Sequence, residues 1–154
     1  MSTLRASLTD TMKTAMRDKD QATLSAVRMI LAAVKQKDID VARGRGDTQI
    51  TDEEILSLMQ GMVKQRRESI ALYQQGGRAD LVAQEEGEIQ LIERFLPQQM
   101  DEAAMAAAVA KVVAETGAAS VKDMGKVMAA LKSAYAGQMD FSKANGLVKA
   151  ALQG

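Results

Sequence analysis

The 154-residue chain contains no cysteine and no histidine. Their absence excludes a disulfide framework, a thiolate or imidazole zinc site, a cysteine nucleophile and any Ser-His-Asp arrangement. It fits a reducing compartment. There is one proline, no tryptophan, and only two tyrosines and two phenylalanines. Runs of β-branched and aromatic residues that would read as strands are missing. No apolar run approaches the ~18 residues that a membrane span needs, and the longest, residues 103–110, is mostly alanine. The first ten residues lack a basic segment followed by an apolar one, so they do not read as a secretion signal. A cytoplasmic protein with no membrane contact is expected. An excess of charge is lacking too: 20 Lys and Arg balance 20 Asp and Glu, so no global field draws the chain to a polyanion.

What remains is alanine, leucine, methionine, glutamine, glutamate, lysine and arginine, residues that lose little entropy in a helix. An all-α fold is predicted, with about seven helices placed by apolar spacing. Leu4, Leu8, Met12 and Met16 mark the first, and Leu24, Val27, Leu31, Val34 and Val41 the second. The segment Arg43-Gly44-Arg45-Gly46-Asp47 reads as a loop. Thr51 with Glu54 forms a capping box for the third helix, flanked by Ile50 and Ile55 at staple positions. Ile55, Met59, Met62, Ile70 and Tyr73 lie close to one face of it. Gln75-Gly76-Gly77 closes it, and the fourth helix is expected from about Arg78 to Leu96.

Pro97 disfavours a helical conformation in the residue before it, which makes it the expected boundary. The chain is therefore read as an N-terminal bundle of about four helices, residues 1–97, followed by a three-helix subdomain, residues 98–154. In the latter Asp101, Ser120 with Asp123, and Asp140 are candidate caps for three helices. Thr116-Gly117 and a loop around Gly137 separate them.

The densest charge cluster opposes Arg66 and Arg67 to Glu85, Glu86 and Glu88 across the short third-to-fourth connection. Counting back from Gly76-Gly77 sets Arg67 opposite Glu86, and Arg66 opposite Gly87. An anion site or a carboxylate metal site is conceivable there. Ion pairs on a solvated face, worth ~0–1 kcal/mol each, explain the cluster more simply, and carboxylates without histidine make a poor metal centre. Gly87 costs its helix about 1 kcal/mol relative to alanine, and is read as allowing close approach of a neighbouring helix or of Arg66. Neither a metal nor a cofactor is expected. Most of the 11 methionines fall on the apolar stripes, so they read as core.

Charge is uneven along the chain. Residues 1–97 carry 14 basic and 15 acidic side chains, whereas from Gly117 onward five lysines face only Asp123 and Asp140. Lys122 and Lys126 stand at the i, i+4 spacing that lets two cations of one helix reach adjacent phosphates. Lys132 suits the negative end of its helix. Solubilising lysine is the plainer explanation of that spacing taken alone.

Several strings together carry a family resemblance. Leu24 to Lys35 (LSAVRMILAAVK), Lys64 to Ile70 (KQRRESI), Gly77 to Leu81 (GRADL), Glu85 to Ile89 (EEGEI) and Phe95 to Met100 (FLPQQM) resemble segments of GatB/YqeY proteins. Asp123 to Met128 (DMGKVM) is similar to a motif in the tail of the B subunit of tRNA-dependent amidotransferases. Gly125, Lys126, Gly137 and Asp140 match the tail pattern, while Ala129 and the stretch Ala136 to Asp140 depart from its usual glycine and more basic loop. The resemblance implies a helical domain followed by a tail that holds tRNA. It also implies an association with carbon–nitrogen ligase activity that uses glutamine as amide donor.

The resemblance is to the tail and its stand-alone companion rather than to the catalytic core. No catalytic residue is singled out, since a lone amidotransferase needs a nucleophile and an activated proton acceptor. The expectation is a non-catalytic tRNA-binding accessory protein, with an aminoacyl-tRNA synthetase or amidotransferase as a possible partner. Lys122, Lys126, Lys132 and Lys143 would contact phosphates, and Gly125 would permit close backbone approach. A helical protein–protein adaptor docking between the two subdomains is the competing expectation.

Overall fold

The computed structural model describes residues 3–153. The fold is all-α: among the described residues there are seven α-helices and no strand. They are α1 (Thr3–Arg17), α2 (Gln21–Lys37), α3 (Asp52–Gln75), α4 (Ala79–Glu93), α5 (Glu102–Thr116), α6 (Met124–Ala134) and α7 (Phe141–Gln153). Two compact units meet in sequence between Leu96 and Pro97.

In the first unit, α3 and α4 form the hairpin that the glycine pair demands. Gly77 takes φ +70°, a left-handed conformation that costs glycine little. The core gathers Leu8, Val27, Ile30, Ile55, Met59 and Ile92, all fully buried. In α1 the buried positions are Leu8 and Ala15, and Met16 is half exposed. A strict i+4 series drifts about 40° per step around the helix, whereas i+7 nearly returns to the same face. Ala15, seven residues after Leu8, therefore takes the place expected for Met16.

The second helix ends differently from its predicted course. After Lys37 the chain widens into a π turn, Asp38–Ala42, in which the Arg43 N–H donates to the Asp38 carbonyl. A 3-10 turn, Arg43–Arg45, follows and closes at Gly46 with φ +86°. The wider turn inserts one residue into the stripe. Ala42 is fully buried and Val41 is 36% exposed, reversing the expected pattern.

Asp38 anchors this junction. Its carboxylate accepts from the Arg5 guanidinium at 3.0 Å and from the Ile50 amide at 2.8 Å. Burial opposes the charged form, but the Arg5 hydrogen bonds and the Ile50 amide outweigh it and hold the carboxyl below its ordinary range.

The start of α3 is the one its sequence describes. Thr51 accepts from the Glu54 amide at 3.2 Å and Glu54 accepts from the Thr51 amide at 3.0 Å. Arg45 reinforces the box from the preceding turn, with Nη1 2.9 Å from Glu54 and Nε 2.7 Å from Asp47. At its far end the hairpin stops early. Helix α4 ends at Glu93 and not at Leu96. Pro97 has no N–H to donate to the Glu93 carbonyl, and the Phe95 and Leu96 amides donate instead to Ile92 and Glu93, three residues back, in a tightened last turn.

The second unit packs α5, α6 and α7 around Val109, Val127, Leu131, Met139, Ala144 and Val148. Gly137, at φ +76°, lies in the α6–α7 loop. That loop is tied to the entry segment, for Gln99 donates to the Gly137 carbonyl at 2.6 Å and the Met100 amide to the Gln138 carbonyl at 2.8 Å. Among the described residues no single helix is long and apolar enough to cross a membrane.

The Glu54 carboxyl is lowered from 4.5 to about 2, first by the Arg45 hydrogen bond and next by the Thr51 amide. A depressed carboxyl stabilises the fold above its unfolded pKa, and that contribution is lost as pH falls toward the folded value. Chemical denaturation of Arg45→Ala should accordingly show a smaller loss of stability than wild type as pH falls from 4.5 to 2. The two proteins should differ most at neutral pH.

Candidate nucleic-acid interface

The tail's charge surplus depends on what its two aspartates do. Gly117, at φ +68°, ends α5. Three residues later Ser120 and Asp123 form their capping box around a 3-10 turn, Val121–Asp123, that leads into α6. The Asp123 carboxylate accepts from the Ala119 amide at 2.9 Å and from the Ser120 amide at 3.3 Å. Those two bonds, with the nearby Lys126 charge, hold its carboxyl below the ordinary range. Asp140 accepts from the amides of Ser142 at 3.0 Å and Lys143 at 3.3 Å. Both acids are thus engaged with backbone donors.

The lysines follow from these elements. Lys122 stands on the 3-10 turn and not on α6, so its spacing to Lys126 is not that of one α-helix. Lys126, in the first turn of α6, donates from Nζ to the Thr116 carbonyl at 3.0 Å. An ammonium is favoured at that carbonyl-rich end of α5, and Lys126 ties two helices together. Lys132 lies in the last turn of α6 and Lys143 in the first turn of α7. A cation in a first turn opposes the helix dipole, and the neighbouring Asp140 offsets it. Lys122, Lys132 and Lys143 are exposed and make no ion pair among the described residues. Lys149, on α7, is equally exposed.

Gly125 is exposed in the first turn of α6, and a Cβ built on it meets nothing within 4 Å. Gly146 on α7 is open in the same way. Sequence reasoning misses Gly146, although a glycine inside a helical pattern is the available signal.

The hairpin cluster has a different character. Arg66 is 13% exposed, with Nε 2.9 Å from Glu88 and 4.0 Å from Glu85. Its Nη1 donates to the Met62 carbonyl at 3.0 Å and its Nη2 lies 2.6 Å from the Met29 sulfur. The guanidinium is enclosed by the protein's own acceptors, which leaves little of it for an external anion. Arg67 pairs with Glu93 at 3.0 Å and not with Glu86, although Arg66 keeps the simple count, lying beside Glu85 and Glu88 on either side of position 87. Among the described residues, no group of three or more His, Cys, Asp or Glu side chains is placed to hold a metal ion.

Gly87 does not serve close packing as its sequence position suggests. A Cβ there would meet nothing within 4 Å. It opens onto a groove of about 520 Å³ between α2 and α4, lined by Ala22, Ala26, Met29, Leu91 and Arg94 among others.

Residues 5–152 match the family described as Yqey-like protein. The chain belongs to that family. Three yeast relatives, each called altered inheritance of mitochondria protein 41, mitochondrial, are similar to it. The protein of Vanderwaltozyma polyspora is 31% identical over 97 residues, which cover 58% of this chain and 50% of the relative. That of Lachancea thermotolerans is 33% identical over 93 residues, 60% and 48% of the two chains. For Eremothecium gossypii the figures are 35% over 91 residues, 59% and 48%. The YqeY-like chain thus spans about half the length of the curated relatives it matches. Those relatives are mitochondrial by name, a compartment other than the cytoplasm expected from composition.

Substitutions at the open glycines separate folding from any external contact. Gly87→Ala and Gly125→Ala should each raise the unfolding free energy by about 0.5–1 kcal/mol in urea titrations, since the added methyl meets no atom. Lys126→Ala should lower it by about 0.3–1 kcal/mol through the lost contact at the α5 terminus.

Proposed function

We propose that this YqeY-like chain is a non-catalytic tRNA-binding accessory protein linked to tRNA-dependent amidation or aminoacylation. The observation that carries the reading is the state of the tail's acids. Asp123 and Asp140 are occupied by backbone amides, so exposed lysines are left without carboxylate partners. Lys122, Lys132 and Lys143 then contact phosphates, and Gly125 lets a sugar–phosphate backbone approach α6. Lys126 acts from a position anchored on α5. The tail motif from Asp123 to Met128 supports the same reading through its similarity to the amidotransferase B-subunit tail. The absence of cysteine and histidine favours an accessory role, with the chemistry performed by a partner enzyme.

Phosphate contacts release counterions, so affinity falls steeply with salt. In filter-binding titrations against total tRNA, Lys122→Gln/Lys143→Gln should bind at least tenfold more weakly than wild type near physiological salt. The slope of log affinity against log salt should shrink by about 1.5 when two contacts are removed. Absent binding, or equal and salt-insensitive binding by both proteins, would contradict the proposal. A protein complex that survives nuclease and the double substitution would favour an adaptor.

A further inference from the structure

We propose that the π turn at the end of α2 is a two-state register element. It can shed its extra residue and exchange Ala42 for Val41 in the core, and Asp38 and Arg45 hold it in the observed state. Both registers are written in the sequence. In an uninterrupted α-helix the residue seven after Val34 lies within about 20° of it, and that residue is Val41. In the observed turn the eighth residue, Ala42, takes the place instead.

Apolar burial by itself favours the register that is not observed. The present turn buries one methyl group and leaves Ile39 50% and Val41 36% exposed. Running the helix on as α would bury the larger valine and replace the rarer i→i+5 bond with i→i+4 bonds. The chain after the turn can absorb the change, because residues 46–51 lie between the 3-10 turn and α3.

Polar contacts supply the opposing preference. Asp38 joins Arg5 of α1 to the Ile50 amide, fixing where the loop returns to the bundle. Arg45 reaches both Glu54 and Asp47. Shedding one residue rotates everything after the turn by about 100° around the helix axis, which takes Arg45 off Glu54. The lock and the register are therefore the same choice. Asp38 and Glu54 both titrate below their ordinary values, so mild acid leaves the lock closed, and release needs competition for Arg45 or Asp38.

A chain without cysteine allows single engineered thiols to report the register. In full-length Val41→Cys and Ala42→Cys proteins, a maleimide probe should modify position 41 at least 100-fold faster than position 42. Adding Arg45→Ala and Asp38→Asn should reduce that ratio at least tenfold, while Val27→Cys in the same background stays protected. An unchanged ratio would overturn the proposal. So would reaction of the thiol at position 27 alongside the one at position 42, since that reports unfolding. A second variant leaves the lock residues in place. Deleting Asp40 should keep the protein folded with Ala42→Cys still protected, because Ala42 then falls seven residues after Val34. Loss of the fold on that deletion would overturn the idea that the fifth residue is removable.

Discussion

An α-helix leaves its first amide groups without partners inside the helix, and in this chain oxygen-bearing side chains of the capping residue meet that demand at the starts of α2, α3, α5 and α7. Asp20 accepts from the Thr23 amide, Thr51 and Glu54 exchange bonds, Asp101 accepts from Ala104, and Asp140 serves α7. Asp123 folds back onto the Ala119 and Ser120 amides at the 3-10 turn that leads into α6. With a single proline and no strands among the described residues, these caps decide where one helix stops and the next begins. They also decide the charge that faces solvent. A carboxylate folded back onto backbone amides is poorly placed to neutralise a lysine elsewhere, and in the tail both aspartates after Gly117 are used in this way. The proposed function rests on that consequence of helix capping.

The caps are local, which is why they are legible in the sequence. Thr51 with Glu54 and Ser120 with Asp123 need only a three-residue spacing to be recognised, and Asp101 and Asp140 need only their place before an apolar run. Helix ends at glycine are equally readable, since Gly77 and Gly117 adopt the left-handed conformation that other residues avoid. The all-α fold follows from the same kind of local information, summed over the chain.

What the sequence does not disclose depends on contacts between distant residues. The π turn is invisible to apolar spacing because Val41 already satisfies the heptad interval, and the contacts that favour Ala42 come from Arg5 and Ile50. The count across the turn places Arg66 correctly, beside Glu85 and Glu88, but it does not say which carboxylate the long, exposed Arg67 side chain takes, and that is Glu93. Lys122 has helical spacing to Lys126, but the capping box tightens its turn to 3-10. Lys126 reads as a phosphate contact because only the folded tail brings the Thr116 carbonyl within its reach. Gly87 illustrates the opposite error, for a glycine that invites packing by its position faces an open groove.

The tail lysines, and not the charge-balanced first unit, are the proposed place where a polyanion binds. Reductive ¹³C-methylation keeps the lysine charge and gives each ammonium its own NMR signal, so adding tRNA at low salt tests this directly. The signals of Lys122, Lys132 and Lys143 should shift and return on raising the salt, while those of Lys13, Lys35 and Lys64 stay in place. Unmoved tail signals, or shifts confined to the lysines of the first unit, would contradict it.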